Sequence, residues 1–219
     1  MVVLAVGVSV VLWVRHRERP ANGPPARPAT VAYDEVRAVA NRLPIGGWDR
    51  VSDFRRGAFG EAWSDDVDVE YGHNGCNTRD DILRRDLADL VVRPGTCFAQ
   101  SGTLHDPYGG AVIAFARGPQ TSAAVQIDHV VSLSDAWYGG AREWDDARRR
   151  DFANDPRNLI AVDGKVNFDK AFRDAGSWLP PNVAFRCAFV ARVVDVKTAY
   201  GLAVSRREKD AIENVLAGC

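Results

Sequence analysis

The 219-residue chain is 46% hydrophobic and 26% charged, with a formal net charge of −1. These proportions exclude a disordered or low-complexity protein and suit one domain with a sizeable core. The first thirty residues hold four Arg and one Glu, which leaves 24 basic and 28 acidic groups in the rest. That balance excludes the basic excess of a dedicated nucleic-acid binder.

Residues 1–19 read as a signal or membrane-anchor segment. Val2 to Val14 is apolar except for Ser9, and Arg15-His16-Arg17-Glu18-Arg19 follows. The run is shorter than the about 20 residues a spanning helix needs and suits a signal-peptide core or a truncated anchor. A cationic patch behind an apolar run tends to stay cytoplasmic, which argues against simple export. No basic residue precedes the run, so the natural start is expected upstream. Residues 20–32 form a linker, with four prolines and a glycine between Pro20 and Pro28. Residues 33–219 are expected to be one domain.

Val36, Val39, Ala40 and Leu43 recur at helical spacing, so Tyr33 to Leu43 is expected to be a helix that Pro44-Ile45-Gly46-Gly47 ends. Asn77 is placed to cap a helix from Thr78 to Leu90, with Asp80 and Asp81 in its first turn and Leu83, Leu87 and Leu90 as its buried stripe. Val91 to Gln100 and Ala111 to Ala116 read as strands, separated by a turn around residues 107–110. Ala123 to Ile127 is a further strand, delivering Asp128 and His129.

A 28-residue insertion follows, from Val130 to Arg157. It contains two predicted short helices, Ser134 to Tyr138 and Glu143 to Phe152, joined by Gly139-Gly140. It reads equally as a lid facing substrate or as core support. Asn158 to Val162 is a short apolar strand, Asp163-Gly164 a turn, and Asn167 lies at a helix start. Asn182 to Tyr200 reads as a long helix and Ser205 to Leu216 as a second, opened by a Ser205–Glu208 capping box.

The four cysteines allow three pairings. Cys76–Cys97 and Cys187–Cys219 are favoured, because each is local and flanks predicted elements. Each bridge would be worth roughly 3 kcal/mol in the chain-entropy model. No Cys-x-x-Cys spacing occurs, so structural zinc is the weaker reading.

The chemistry gathers around Asp128-His129, answered by Asn158 and, nine positions on, Asn167. An acid beside a histidine can supply a metal ligand and a general base. Adjacent strand residues alternate faces, so a bend at the strand end is needed for both to serve one site. This pattern resembles the ββα-metal (HNH) endonucleases. The wider chain, from Asp34 to Cys219, is similar to secreted actinobacterial proteins whose HNH module resembles the C-terminal domain of GmrSD-type restriction endonucleases. The carriers are Gly75-Cys76-Asn77-Thr78-Arg79-Asp80, Asp106-Pro107-Tyr108, Asp128-His129-Val130-Val131, Trp144, Phe152-Ala153-Asn154-Asp155 and Trp178-Leu179-Pro180-Pro181.

The resemblance implies an α+β fold, with a ββα-metal centre (HNH, or His-Me finger) embedded in a mostly helical domain with a small sheet. It implies a nuclease cutting DNA, ahead of RNA, with low sequence specificity. His129 would be the base, Asp128 and Asn167 the metal ligands, and Asn158 the brace between the two strands. Mg²⁺ suits such an open, oxygen-rich sphere, with Mn²⁺, Ni²⁺ and Zn²⁺ as alternatives.

Lys170 is expected either to touch a phosphate or to be a solvated surface lysine. Arg79 either clamps a phosphate or pairs with Asp80, Asp81 or Asp86. Asn167 has a rival role as a helix N-cap. His73 and His105 are not expected to be catalytic, and Trp137, Trp144 and Trp178 read as core rather than as base-stacking platforms. The chain is expected to act as a monomer, outside the cell or tethered by its N-terminus to the outer face of the cytoplasmic membrane. The rival function is a catalytically silent HNH-fold binding module at the cell surface.

Overall fold

The computed structural model describes residues 33–46, 53–119 and 121–219. The segments read as signal or anchor (residues 1–19) and as linker (residues 20–32) lie outside the described residues. Among the described residues, no helix is long and apolar enough to cross a membrane. The described residues form an α+β unit between Ala32 and Cys219, with seven α-helices and five strands.

Helix α1 (Tyr33–Ala40) packs on the two C-terminal helices, α6 (Arg186–Tyr200) and α7 (Arg206–Ala217). Arg37 fastens it by donating to the Leu216 carbonyl at 2.7 Å. Helix α2 (Thr78–Asp86) begins as expected, with the Asn77 side chain accepting from the Asp80 amide. It ends four residues early. The backbone turns extended at Leu87, and Ala88–Val92 becomes strand β1. Leu87 and Leu90 fit a helical stripe, but β-branched Val91 and Val92 and the Pro94-Gly95 turn favour a hairpin. Asp89, at φ 50°, sits where the β1 register shifts, and Gly95 at φ 71° makes the turn. The expected single strand Val91–Gln100 is therefore the end of β1, a turn, and the start of β2 (Ala99–His105). β1, β2 and β3 (Val112–Ala116) form an antiparallel meander.

A second sheet has two antiparallel strands, β4 (Val125–His129) and β5 (Leu159–Asp163), followed directly by helix α5 (Gly164–Lys170). This ribbon is the wall between two apolar clusters. Val125, Ile127, Leu159 and Ala161 pack against Ile82 and Leu83 of α2 and Leu104 and Phe115 of the meander. Ile160 and Val162 pack the other way, into the larger helical core. β5 is thus buried on both faces. Its edge is capped by α2: Asp86 accepts from the Ala161 amide at 2.8 Å, and Arg85 donates to the Leu159 carbonyl at 2.7 Å.

The insertion supports the core. Helices α3 (Leu133–Tyr138) and α4 (Asp146–Asn154) bury Ala136, Trp137 and Phe152. Ser132 and Asp145 cap them, each accepting an amide three residues on, which moves both starts from the expected positions. Trp178 is also buried, while Trp144 packs on Phe152 and Tyr200. Helix α6 starts at Arg186 after a 3₁₀ turn, Val183–Phe185, because Pro180-Pro181 holds the preceding chain extended. Disulfides join Cys76 to Cys97, tying the start of α2 to the β1–β2 turn, and Cys187 to Cys219, tying the start of α6 to the chain end.

Candidate active site

Strand β4 ends on the two residues of interest, with Asp128 opposite Ile160 and His129 opposite Leu159. Alternation sends Gln126 and Asp128 toward α5, opposite to Val125 and Ile127. Asp128 and His129 nevertheless both line one cleft of about 370 Å³, with Arg56, Ser132, Asn167 and Phe172. The strand stops there, and the chain turns into the Ser132 cap of α3.

His129 is buried, and its ring stacks on Trp63 with centroids 6.0 Å apart. Its Nε2 lies 2.8 Å from the Ala153 carbonyl. A carbonyl can only accept, so this contact assigns the proton to Nε2 and leaves the Nδ1 lone pair. Burial lowers the imidazole pKa to about 4, and the Arg56 and Lys170 charges push the same way against the Ala153 carbonyl and Asp128. The ring is therefore neutral near pH 7, the form a base requires.

Asn158 is fully buried and bonds Val131 twice: Oδ1 accepts from its amide at 2.8 Å, and Nδ2 donates to its carbonyl at 3.1 Å. Its own carbonyl accepts from the Val130 amide at 2.8 Å. These three bonds continue the ribbon beyond β4 and fix the backbone after His129.

Asn167 lies inside α5, and the cap of that helix is Asp163, which accepts from the Lys165 amide at 2.7 Å. The N-cap role is therefore taken. Asn167 Nδ2 donates to Gln126 Oε1 at 2.9 Å, which orients the amide and leaves its oxygen as the ligand-capable atom.

Two expectations are corrected. Lys170 is neither exposed nor placed to meet a phosphate. It is fully buried, and its Nζ lies 2.9 Å from Asp128 Oδ2, 3.2 Å from Oδ1 and 2.8 Å from the His129 carbonyl. Packing of α5 on the ribbon turns this position inward, and a buried ammonium persists only when paired. Arg79 makes none of the expected ion pairs with Asp80, Asp81 or Asp86. Its guanidinium donates to the Ser122 and Val125 carbonyls at 3.3 and 3.0 Å, anchoring the start of β4, and burial lowers its pKa.

Tyr108 supplies what residue spacing does not show. Its hydroxyl donates to Asp128 Oδ2 at 2.7 Å, and burial followed by the Asp128 charge drives its pKa well up. Asp106-Pro107-Tyr108 was legible as a turn, without a hint of its partner twenty residues on. Arg56, exposed at the cleft and first in the 3₁₀ turn Arg56–Phe59, and Trp63, in a turn, carry no recognisable sequence pattern. His73 faces Asp68 on the surface, and His105 ends β2 in solvent.

A ribbon, a helix, a neutral histidine and two oxygen donors around one cleft define a ββα-type centre. The family described as GmrSD restriction endonucleases, C-terminal domain, matches residues 77–215, more than half of the chain, and the chain belongs to it. The match contains Arg79, Asp128, His129, Asn158, Asn167 and Lys170; Arg56 and Trp63 fall before it. The chain is also similar to a protein of Arthroderma benhamiae described as an uncharacterized secreted protein, 41% identical over 146 residues. That alignment covers 66% of this chain and 68% of the relative. No solved structure matches.

Proposed function

We propose that this protein is a metal-dependent nuclease that hydrolyses DNA phosphodiester bonds with low sequence specificity outside the cell. The observation that carries the reading is the state of His129: neutral, oriented through Nε2 by a backbone carbonyl, and at the wall of a cleft that also holds Asp128 and Asn167. A water in that cleft would lose its proton to Nδ1 as it attacks phosphorus, while the opposite P–O ester bond breaks and the leaving oxygen takes a proton from solvent. Asn158 keeps the imidazole in place by tying Val130 and Val131 to the ribbon. Arg56 offers an exposed guanidinium to the substrate backbone. Phe172 lines the cleft and Phe168, on α5, is 86% exposed; both present aromatic faces to bases.

Asp128 and Asn167 would hold the ion. One carboxylate and one amide oxygen beside an open cleft fit a hard cation whose remaining positions are water and phosphate. Mg²⁺, or Mn²⁺ in its place, would supply positive charge for the phosphate and leaving oxygen. Two disulfides and a secreted relative support an extracellular setting.

One observation favours the second reading, a silent binding module: Lys170 and Tyr108 already engage both oxygens of Asp128. Plasmid nicking by the disulfide-bonded protein with Mg²⁺, Mn²⁺ or EDTA, beside His129→Ala, separates the two. Metal-dependent cutting that the variant loses supports the nuclease. Wild-type rates from His129→Ala would sink it, and inert folded protein with every metal favours the binding module.

A further inference from the structure

Outside the cleft, three carboxylates converge from distant parts of the chain. Asp135 lies on α3, Asp174 on the segment after α5, and Glu208 in the first turn of α7. One oxygen of each lies within 4.8 Å of the others. Gly176 allows the approach: a Cβ there would stand 2.8 Å from the Glu208 backbone, so the Asp174 segment lies directly against α7.

Lys197 of α6 is fully buried beside them. Its Nζ lies 2.8 Å from Asp135 Oδ2 and 2.7 Å from Glu208 Oε2. The second oxygens tell the rest. Asp135 Oδ1, Glu208 Oε1 and Asp174 Oδ1 are all buried and accept no hydrogen bond from any described residue. Glu208 is 0% and Asp135 5% exposed. Three carboxylates against one ammonium leave two negative charges, and a buried carboxylate without a partner is costly.

We infer that Asp135, Asp174 and Glu208 form a structural site for one divalent cation of the calcium class. Two positive charges balance the group. Oxygens at these separations can share an ion at about 2.4 Å, the calcium–oxygen distance. The donor set has no nitrogen or sulfur, which disfavours zinc. Mg²⁺ gives up its waters reluctantly, which disfavours it in so enclosed a place. The ion would pin α3, α7 and the segment leaving α5 to one another. It does not depend on the nuclease reading.

The test is thermal unfolding of the full chain in EDTA, Ca²⁺, Mg²⁺ or Mn²⁺, with Asp174→Asn and Asn167→Ala alongside. Ca²⁺ a hundredfold above its Kd should raise Tm by about 5–10 °C. Asp174→Asn should lose the rise, and Asn167→Ala, altered only at the cleft, should keep it. Equilibrium dialysis of the Asn167→Ala chain should retain one Ca²⁺, a readout that does not need Asp174→Asn to fold. A rise that survives Asp174→Asn, or no bound cation and no rise, overturns the site, the latter leaving shared protons as the cluster's solution.

Discussion

Among the described residues, Lys170 and Lys197 both reach carboxylates in the interior, and the two groups balance differently. At the cleft, Lys170 meets one carboxylate, Asp128, and the Tyr108 hydroxyl adds a neutral donor. Behind it, Lys197 faces Asp135 and Glu208 with Asp174 beside them, and three oxygens are left over. The first group is balanced in charge by protein atoms, and an ion there would use the further lone pairs of Asp128 with the Asn167 oxygen. The second is not, and only an outside cation or bound protons can complete it. Burial alone therefore does not show how a carboxylate's charge is met; the count of charges and donors does.

The largest expected effect is on chemistry at the cleft. His129→Ala should lower the nicking rate by about 10²–10⁴-fold, the usual worth of a general base, with circular dichroism unchanged. Fold loss without a change in rate per folded molecule would make His129 a core residue.

Stability then separates the two lysine groups. Lys170→Met strands the Asp128 charge and should cost about 3–5 kcal/mol in urea unfolding. Glu208→Gln removes one of three carboxylates beside a single ammonium, which Asp135 keeps paired, and should cost no more than about 1 kcal/mol in EDTA. Equal losses would erase the contrast. Below Lys170→Met comes Cys187→Ser with Cys219→Ser, expected to cost roughly 3 kcal/mol by loosening the unfolded chain.

Smaller still, Arg79→Ala should cost about 1–3 kcal/mol, by leaving the Ser122 and Val125 carbonyls without their donor. Its nicking rate per folded molecule should match wild type, and a large rate loss would restore Arg79 to the substrate. The smallest effect is Arg56→Ala, about 1 kcal/mol of transition-state stabilisation or roughly fivefold in rate, read as a change in salt dependence as well.

Much of the ββα unit was legible in the chain because its signals are local. The expected strand Ala123 to Ile127, which the structure shifts to Val125–His129, the apolar strand from Asn158 and the Asp163-Gly164 turn carry the order strand, strand, helix. Asn77 and Ser205 announced helix starts because an N-cap acts on an amide three residues away. The α2–β1 boundary was misread where two local signals conflicted, a leucine stripe against paired valines and a Pro-Gly turn.

What sequence alone determined, then, is the set of short-range devices: caps, turns, alternation, and an acid-histidine pair at a strand end. The side-chain partners were decided by the tertiary structure. Lys170 is inside because α5 lies on the ribbon, and Arg79 holds carbonyls because α2 packs beside β4. Asp135, Asp174 and Glu208 are ordinary surface-type residues until three elements meet around Lys197. A side chain's state depends on the charges and donors that folding brings within a few ångströms, and the chain's order carries no local mark of those.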